Sequence, residues 1–326
     1  MNQSPTPKQN SKVLLDLEAF KLNWRPQVAF AVADATRVAQ RPVRIGEPRV
    51  YPIVNGEISE RVMELRIRLA GFGGLKPGNT FDDATQAAVK LFEKDVMGKS
   101  DPTGTVDLAF AQRMDLFAAE WPILFKQIAC PCGKCGGFGD GKNKGQYYKT
   151  PKAEKYHNYE YPGIHRCVLW GARALMFYCS KEYANSIRFM RFDSGYRCRI
   201  DNVNKHRPTT NHMGKAVDMW FETYRANSWN RGDADVNFAS CNKVRALAVQ
   251  RMKASTHWVP AGEFGLERGG KSPGEASTWV HLDVREWPGD FLEDSFFAKT
   301  SQELEGLSLV EWMAIPSAEQ LFGGDK

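Results

Sequence analysis

The stretch Thr278-Trp-Val-His-Leu-Asp-Val-Arg-Glu286 alternates between two kinds of side chain. Its apolar residues fall at every second position: Val280, Leu282 and Val284. Because successive side chains of a strand point to opposite faces, this period of two predicts a strand with an apolar face. The strand would direct His281 and Asp283 away from that face.

Helical and strand-like patterns are mixed along the rest of the chain. Apolar residues at helical spacing predict helices over residues 161–183 and 241–254. Alternating apolar and basic residues predict a strand over 187–193. Three earlier amphipathic segments predict a compact helical bundle: residues 58–72, 84–96 and 106–119. We therefore expect an α+β fold, in which a small three-helix domain precedes an α+β domain with a central antiparallel sheet.

These patterns divide the chain into five segments. Residues 1–52 contain short apolar pieces between Pro and Arg residues, which is typical of an arm or linker. The other predicted segments are a three-helix domain (53–120), a Cys- and Gly-rich connecting loop (121–150), an α+β domain (151–290) and a C-terminal tail (291–326).

The composition excludes several classes of protein. The hydrophobic fraction of 42% and the charged fraction of 25% are those of a globular protein. A net charge of +6 without clustered Lys and Arg argues against a nucleic-acid-binding protein. No stretch reaches the roughly 18 apolar residues of a membrane span. The polar segment Met1 to Lys12 lacks the apolar core of a secretory signal, so we expect synthesis in the cytoplasm without such a signal.

Three side chains that can bind a metal stand out. His212 and Asp218 lie in Thr210-Asn-His-Met-Gly-Lys-Ala-Val-Asp218, and His281 lies in the predicted strand. A hydrolytic zinc ion takes three ligands from His and carboxylate side chains and leaves a fourth position for water. The small residues between His212 and Asp218 allow a tight turn that would bring both to one ion. The sequence thus predicts a Zn²⁺ site.

The order of these motifs resembles the zinc D-alanyl-D-alanine carboxypeptidases and related wall endopeptidases. That family shares a fold with lysostaphin-type enzymes and with the signalling domain of hedgehog proteins. The resemblance covers about residues 161–287. It depends on Ser194-Gly-Tyr-Arg197, on the segment Thr210 to Asp218, and on the late His281.

The resemblance implies roles for individual residues. His212, Asp218 and His281 would bind the zinc ion. Arg197 would hold the substrate, since its planar guanidinium suits a carboxylate or a carbonyl. The chain departs from the family at Thr278, where an acidic general base commonly stands, three residues before the last His.

Two other carboxylates are therefore candidates for the general base. Glu275 is the first candidate, because it is the nearest acidic residue before the predicted strand and lies in a predicted loop. Asp283 is the second. Either would take a proton from water whose pKa a zinc ion lowers toward roughly 7.

The helical bundle carries a second resemblance. Over about residues 59–117 it is similar to the peptidoglycan-binding domain that is often fused to such hydrolases. The matching positions are Val62, Leu65, Leu69, Asn79 to Thr85, Ala88, Val89, Phe92 and Asp101 to Val106. The resemblance implies bacterial peptidoglycan as a partner.

Together these features predict a zinc metallopeptidase that cleaves an amide bond in the stem peptide of peptidoglycan, as carboxypeptidase or endopeptidase. Two alternatives stay open. One is a zinc N-acetylmuramoyl-L-alanine amidase, and the other is a non-catalytic module that binds peptidoglycan or zinc, which Thr278 favours. We expect a monomer that acts in the periplasm or cell wall. It would be a phage lysis enzyme or a secreted antibacterial effector, the latter with an immunity protein or a secretion-machine component as partner.

The cysteines form a further pattern. There are seven, an odd number, so intramolecular disulfides cannot include all of them. Cys130, Cys132 and Cys135 have metal-like spacing, and Cys167 or Cys198 could complete a structural zinc site. Disulfides or packed, reduced thiols are the alternative.

Overall fold

The computed structural model describes residues 50–139, 160–207, 211–256, 263–270, 275–304 and 306–316. Most of the predicted arm (1–49), part of the predicted connecting loop (140–150) and the end of the predicted tail (317–326) lie outside the described residues. Among the described residues, no helix combines the length and apolarity that crossing a bilayer requires.

Three helices lie within the residues of the predicted bundle. Its helices are α1 (Glu60–Arg68), α2 (Asp83–Asp95) and α3 (Leu108–Glu120). Each begins after a residue whose side chain accepts a hydrogen bond from the first turn: Ser59, Asp82 and Asp107. Such caps satisfy backbone N–H groups that have no partner inside the helix. The amphipathic segments and their cap residues therefore fix where the helices begin.

The central sheet is mainly antiparallel. Its strands are β2 (Ile187–Ser194), β3 (Ala216–Arg225), β4 (Ser228–Asn230), β5 (Ser255–Thr256), β6 (Gly265–Leu266) and β7 (Val280–Asp283). They lie in the order β2-β3-β7-β6-β5, with β4 paired to β3. Of these pairs only β5 with β6 is parallel. A separate two-stranded sheet joins β1 (Ile164–His165) to β8 (Phe297–Ala298). The predicted mixture of helices with an antiparallel sheet is confirmed.

The described residues contain five more helices: α4 (Phe125–Ile128), α5 (Arg166–Tyr183), α6 (Arg199–Asn204), α7 (Ala234–Met252) and α8 (Leu309–Ala314). Helix α5 begins later than predicted, because Ile164 and His165 pair in β1 and His165 caps the helix. Helix α7 begins earlier than predicted, because Asp233 caps it. Three 3₁₀ turns lie near the end of the chain: Gly289–Phe291, Asp294–Phe296 and Gln302–Leu304.

The bundle and the α+β part share a hydrophobic core. Phe72, which follows α1, contacts Phe92 and Phe117 within the bundle, with ring centroids 5.1 and 5.6 Å away. On its other side it contacts Tyr178 of α5, 5.8 Å away. The buried carboxylate of Glu64 makes a second link, because it pairs with Arg166 of α5 at 2.8 Å. The helical segment is thus packed directly onto the part that carries the sheet.

Substitution of Gly71 by Ala should test this junction. A Cβ built on Gly71 would overlap the Cβ of Ala174 in α5 and lie 3.1 Å from the carbonyl oxygen of Trp170. Overpacking of this kind costs about 1–3 kcal/mol. We expect Gly71→Ala to lower the free energy of unfolding by that amount in urea titrations. Gly289→Ala is the control, because a Cβ there meets nothing within 4 Å. Equal stability of the two variants would contradict the close packing.

Candidate metal centre

Two adjacent strands place two of the predicted zinc ligands. Asp218 lies on β3 and His281 on β7, and the antiparallel register pairs these residues directly. Residues directly opposite each other in an antiparallel pair have side chains on the same face of the sheet. The strand pairing alone therefore brings the carboxylate and the imidazole together.

The loop before β3 carries His212. Its carbonyl oxygen accepts a hydrogen bond from the backbone N–H of Arg197 at 2.7 Å, which ties the loop to the segment after β2. Gly214 has a φ of +113°, and a Cβ there would lie 2.5 Å from the carbonyl oxygen of Gly163. Only glycine fits this turn. Thr210, the first residue of the motif, lies outside the described residues.

The three side chains meet at one point. His212 Nε2 lies 3.2 Å from Asp218 Oδ2, and His281 Nδ1 lies 2.7 Å from Asp218 Oδ1. One ligand atom from each residue lies within 4.8 Å of the other two, and all three side chains are buried. Two imidazole nitrogens and a carboxylate oxygen form a donor set that zinc accepts. The residues present therefore fit a zinc ion.

The second nitrogen of each histidine is held by an acceptor. His212 Nδ1 lies 2.8 Å from the carbonyl oxygen of Gly195. A carbonyl only accepts, so Nδ1 donates to it, which leaves Nε2 directed at Asp218. His281 Nε2 lies 2.8 Å from Asp283 Oδ2, which leaves Nδ1 directed at Asp218. Such partners orient histidine ligands in metal sites.

The electrostatics of the site favour a cation. Burial lowers the pKa of His212 and so favours the neutral imidazole that binds metals. Burial opposes ionisation of Asp218, but His212 and His281 outweigh it and hold the pKa of this carboxyl well below its usual range. Burial also lowers the pKa of His281, but hydrogen bonds to Asp218 and Asp283 outweigh that effect and raise it to about 9. The centre stabilises positive charge.

Arg197, the predicted substrate-holding residue, lies beside the three ligands. Its Nη2 is 3.0 Å from Asp218 Oδ2, and its Nε donates to Ser194 Oγ at 2.6 Å. Arg197 also lines a cavity of about 290 Å³. Other charged residues of that lining are Lys126, Asp193, Lys205 and Arg207. Basic side chains thus outnumber acidic ones in this lining.

The two predicted general bases occupy different places. Asp283 is fully buried, where its Oδ2 contacts His281 Nε2 and accepts from Arg285 Nε at 2.8 Å. Burial opposes its ionisation, but Arg285 outweighs that effect and lowers the pKa of Asp283. From this position, Asp283 can fix the orientation of the His281 ring. Glu275 has its Oε1 3.4 Å from Arg268 Nε.

A third carboxylate, that of Glu267, suits the role of general base better than those of Asp283 and Glu275. Glu267 directly follows β6, whose last residue, Leu266, pairs with Leu282, the residue next to His281. Its Oε2 accepts from Trp279 Nε1 at 3.2 Å. The pKa of Glu267 is raised, chiefly by burial. The charge of His281 opposes this effect, and the charge of Asp218 adds to it. A raised carboxyl pKa suits proton transfer near neutral pH.

Sequence reasoning missed Glu267. The residue stands in Phe264-Gly-Leu-Glu267, a segment without a sustained period, and β6 is two residues long. Its position beside His281 depends on the pairing of β6 with β7, for which the local pattern gives no signal.

Comparison with protein-family models gives no match for this chain, and comparison with curated proteins gives no significant match.

Proposed function

We propose that the protein is a zinc-dependent peptidoglycan hydrolase that cleaves an amide bond in the wall stem peptide. The observation that carries the proposal is the convergence of His212 Nε2, Asp218 and His281 Nδ1 in a buried cluster. The far nitrogens of both histidines are held by hydrogen bonds, as expected for ligands rather than for titrating surface groups.

His212, Asp218 and His281 would hold the zinc ion. When bound, zinc supplies Lewis acidity, which polarises a carbonyl group and lowers the pKa of water toward neutrality. Three protein ligands leave a coordination position open, which distinguishes a catalytic zinc site from a structural one.

Arg197 and the adjoining cavity suit a substrate that carries carboxylates. Stem peptides of peptidoglycan have free carboxyl groups, and a guanidinium can bind a carboxylate through two parallel hydrogen bonds. The cavity lining adds Lys126, Lys205 and Arg207 to Arg197. We assign Arg197 to hold a stem-peptide carboxylate or carbonyl against the zinc site.

Glu267 is our assignment for the general base. It would accept a proton from the attacking water and return it to the leaving amine, so the carboxylate ends each turnover as it began. Its position beside His281 and its hydrogen bond to Trp279 Nε1 support this role. Asp283 would then act through His281 by fixing the direction of the ring.

The three-helix bundle supports peptidoglycan as the substrate through its resemblance to wall-binding domains. In this proposal the bundle binds the wall while the sheet presents the zinc site. The protein would act in the periplasm or cell wall as a phage lysis enzyme or a secreted effector. An effector would have an immunity protein or a secretion-machine component as partner.

Mass spectrometry of digested wall tests the proposal and separates its alternatives. Zinc-loaded protein is incubated with purified peptidoglycan, and the released fragments are sequenced. We expect new amino and carboxyl ends inside the stem peptide, which disappear after chelation and return when zinc is restored. Intact stem peptides released from muramic acid would indicate an amidase instead. Unchanged wall after long incubation would support a non-catalytic module and contradict the proposal.

A further inference from the structure

The loop after α4 and the start of α6 bring four cysteines together. Cys130, Cys132 and Cys135 lie in the loop, and Cys198 caps α6. Their four Sγ atoms all lie within 4.8 Å of one another. None of the seven cysteines, all of which the structure describes, forms a disulfide. The cluster is separate from His212, Asp218 and His281.

We propose that Cys130, Cys132, Cys135 and Cys198 bind a second zinc ion, with a structural role. Zinc binds thiolate sulfur at about 2.3 Å, which in a tetrahedral Cys₄ site separates the sulfurs by about 3.8 Å. The Sγ atoms of Cys132 and Cys198 lie 3.5 Å apart, close to that separation. Four thiolates leave no open position, which is the arrangement of structural rather than catalytic zinc.

Backbone N–H groups point at the sulfur atoms. Cys198 N donates to Cys130 Sγ at 3.3 Å, and Lys134 N donates to Cys132 Sγ at 3.3 Å. Asp201 N donates to Cys198 Sγ at 3.5 Å. Donors of this kind stabilise the negative charge of thiolate ligands. Burial is uneven: Cys130 and Cys198 are buried, whereas Cys132 and Cys135 are half-buried, which gives an ion a route of entry.

The backbone of the loop is shaped to turn the ligands inward. Gly133 and Gly136 follow Cys132 and Cys135 directly, and their φ angles are +68° and +66°. This left-handed conformation favours glycine, so the chain reverses after each of these two ligands. The sequence left Cys167 and Cys198 as alternatives for the fourth ligand, and the structure places Cys198 in the cluster.

A disulfide accounts for the cluster less well. A disulfide joins two sulfurs at about 2.05 Å, and all four of these cysteines are free in the structure. The Cys132 and Cys198 sulfurs are 3.5 Å apart, within contact of each other but beyond a covalent bond. Four sulfur atoms that lie close together, three of which accept hydrogen bonds from backbone N–H groups, fit one shared metal ion better than they fit disulfide pairs.

The cluster borders the segment that supports the catalytic site. Tyr196 N donates to the carbonyl oxygen of Ile128 at 2.7 Å, and a Cβ on Gly195 would overlap the backbone of Ile128. The carbonyl oxygen of Gly195 in turn holds His212 Nδ1. A zinc ion that joins the loop to Cys198 would therefore fix the segment that carries Gly195 and Arg197.

Metal analysis of variants tests the second site independently of hydrolysis. We expect two zinc ions in the wild type, one in Cys198→Ser, one in His212→Ala and two in the control Cys179→Ser. Cys179 is a buried free cysteine outside the cluster, with its Sγ 3.7 Å from the carbonyl oxygen of Ile187. Cobalt-loaded protein should show a thiolate-to-metal charge-transfer band that His212→Ala retains and Cys198→Ser loses. Unchanged zinc content in folded Cys198→Ser would overturn the proposal.

A measurement on the wild type covers the case in which Cys198→Ser does not fold. The zinc-loaded protein is alkylated under native, reducing conditions, with and without a chelator, and the labelled cysteines are mapped by mass spectrometry. We expect Cys132 and Cys135, the half-buried members of the cluster, to react only after chelation. Equal labelling in both conditions would overturn the proposal.

Discussion

The His281→Ala variant is expected to bind one zinc ion fewer than the wild type and to lose wall hydrolysis by a factor of about a thousand or more. The substitution removes one of the proposed ligand nitrogens and leaves Asp218 and Asp283, both buried, without the imidazole between them. A thousandfold loss corresponds to about 4 kcal/mol of transition-state stabilisation. Zinc content is measured by mass spectrometry, and hydrolysis by release of wall fragments.

A matched histidine serves as the control for this variant. His206 is exposed and has a φ of +51°, a conformation that Asn tolerates well, so His206→Asn should keep both zinc and activity. His212→Ala provides a second variant of a proposed ligand. It leaves no buried carboxylate unpaired at the other ring nitrogen, because His212 Nδ1 bonds to the carbonyl oxygen of Gly195. Wild-type activity in either ligand variant would reject the metal centre as the site of hydrolysis.

The Glu267→Gln variant is expected to lose a factor of about 10²–10⁴ in kcat, the usual contribution of general acid–base catalysis. Gln keeps the shape of the side chain and can still accept a hydrogen bond from Trp279 Nε1, but it cannot take up a proton. Zinc content and KM should stay near those of the wild type, because Glu267 is not among the three proposed ligands. The measurement is steady-state kinetics on a synthetic stem peptide.

Glu275→Gln is the informative comparison, since Glu275 is the first candidate that the sequence suggests. Its carboxylate faces Arg268 at 3.4 Å, and we expect a small effect on kcat. A larger loss in Glu275→Gln than in Glu267→Gln would restore the sequence-based assignment of the base.

Elements with one buried face could be predicted from the sequence. The bundle helices follow from their apolar periodicity and their cap residues. The alternation around His281 gives β7, although the strand is shorter than the pattern suggests. Strand β3 escaped prediction, because Ala216 to Met219 are buried in succession. A strand covered on both faces loses its period of two.

Some residues of the candidate site could likewise be predicted from the sequence, and others could not. His212, Asp218 and His281 could be selected because each residue type binds metals and lies in a distinctive local pattern. Glu267 could not be selected, because only the register of β6 against β7 brings it beside His281. Similarly, the spacing of Cys130, Cys132 and Cys135 suggests a metal, but contact between two distant segments decides that Cys198 joins them.

We expect one zinc ion to lie between the imidazoles of His212 and His281 and the carboxylate of Asp218. Anomalous diffraction at the zinc absorption edge, from crystals of the zinc-loaded protein, tests it most directly. We predict an anomalous peak about 2.0–2.2 Å from His212 Nε2, from a carboxylate oxygen of Asp218 and from His281 Nδ1. The absence of a peak there in fully loaded, ordered crystals would contradict the claim, even if the cysteine cluster held zinc.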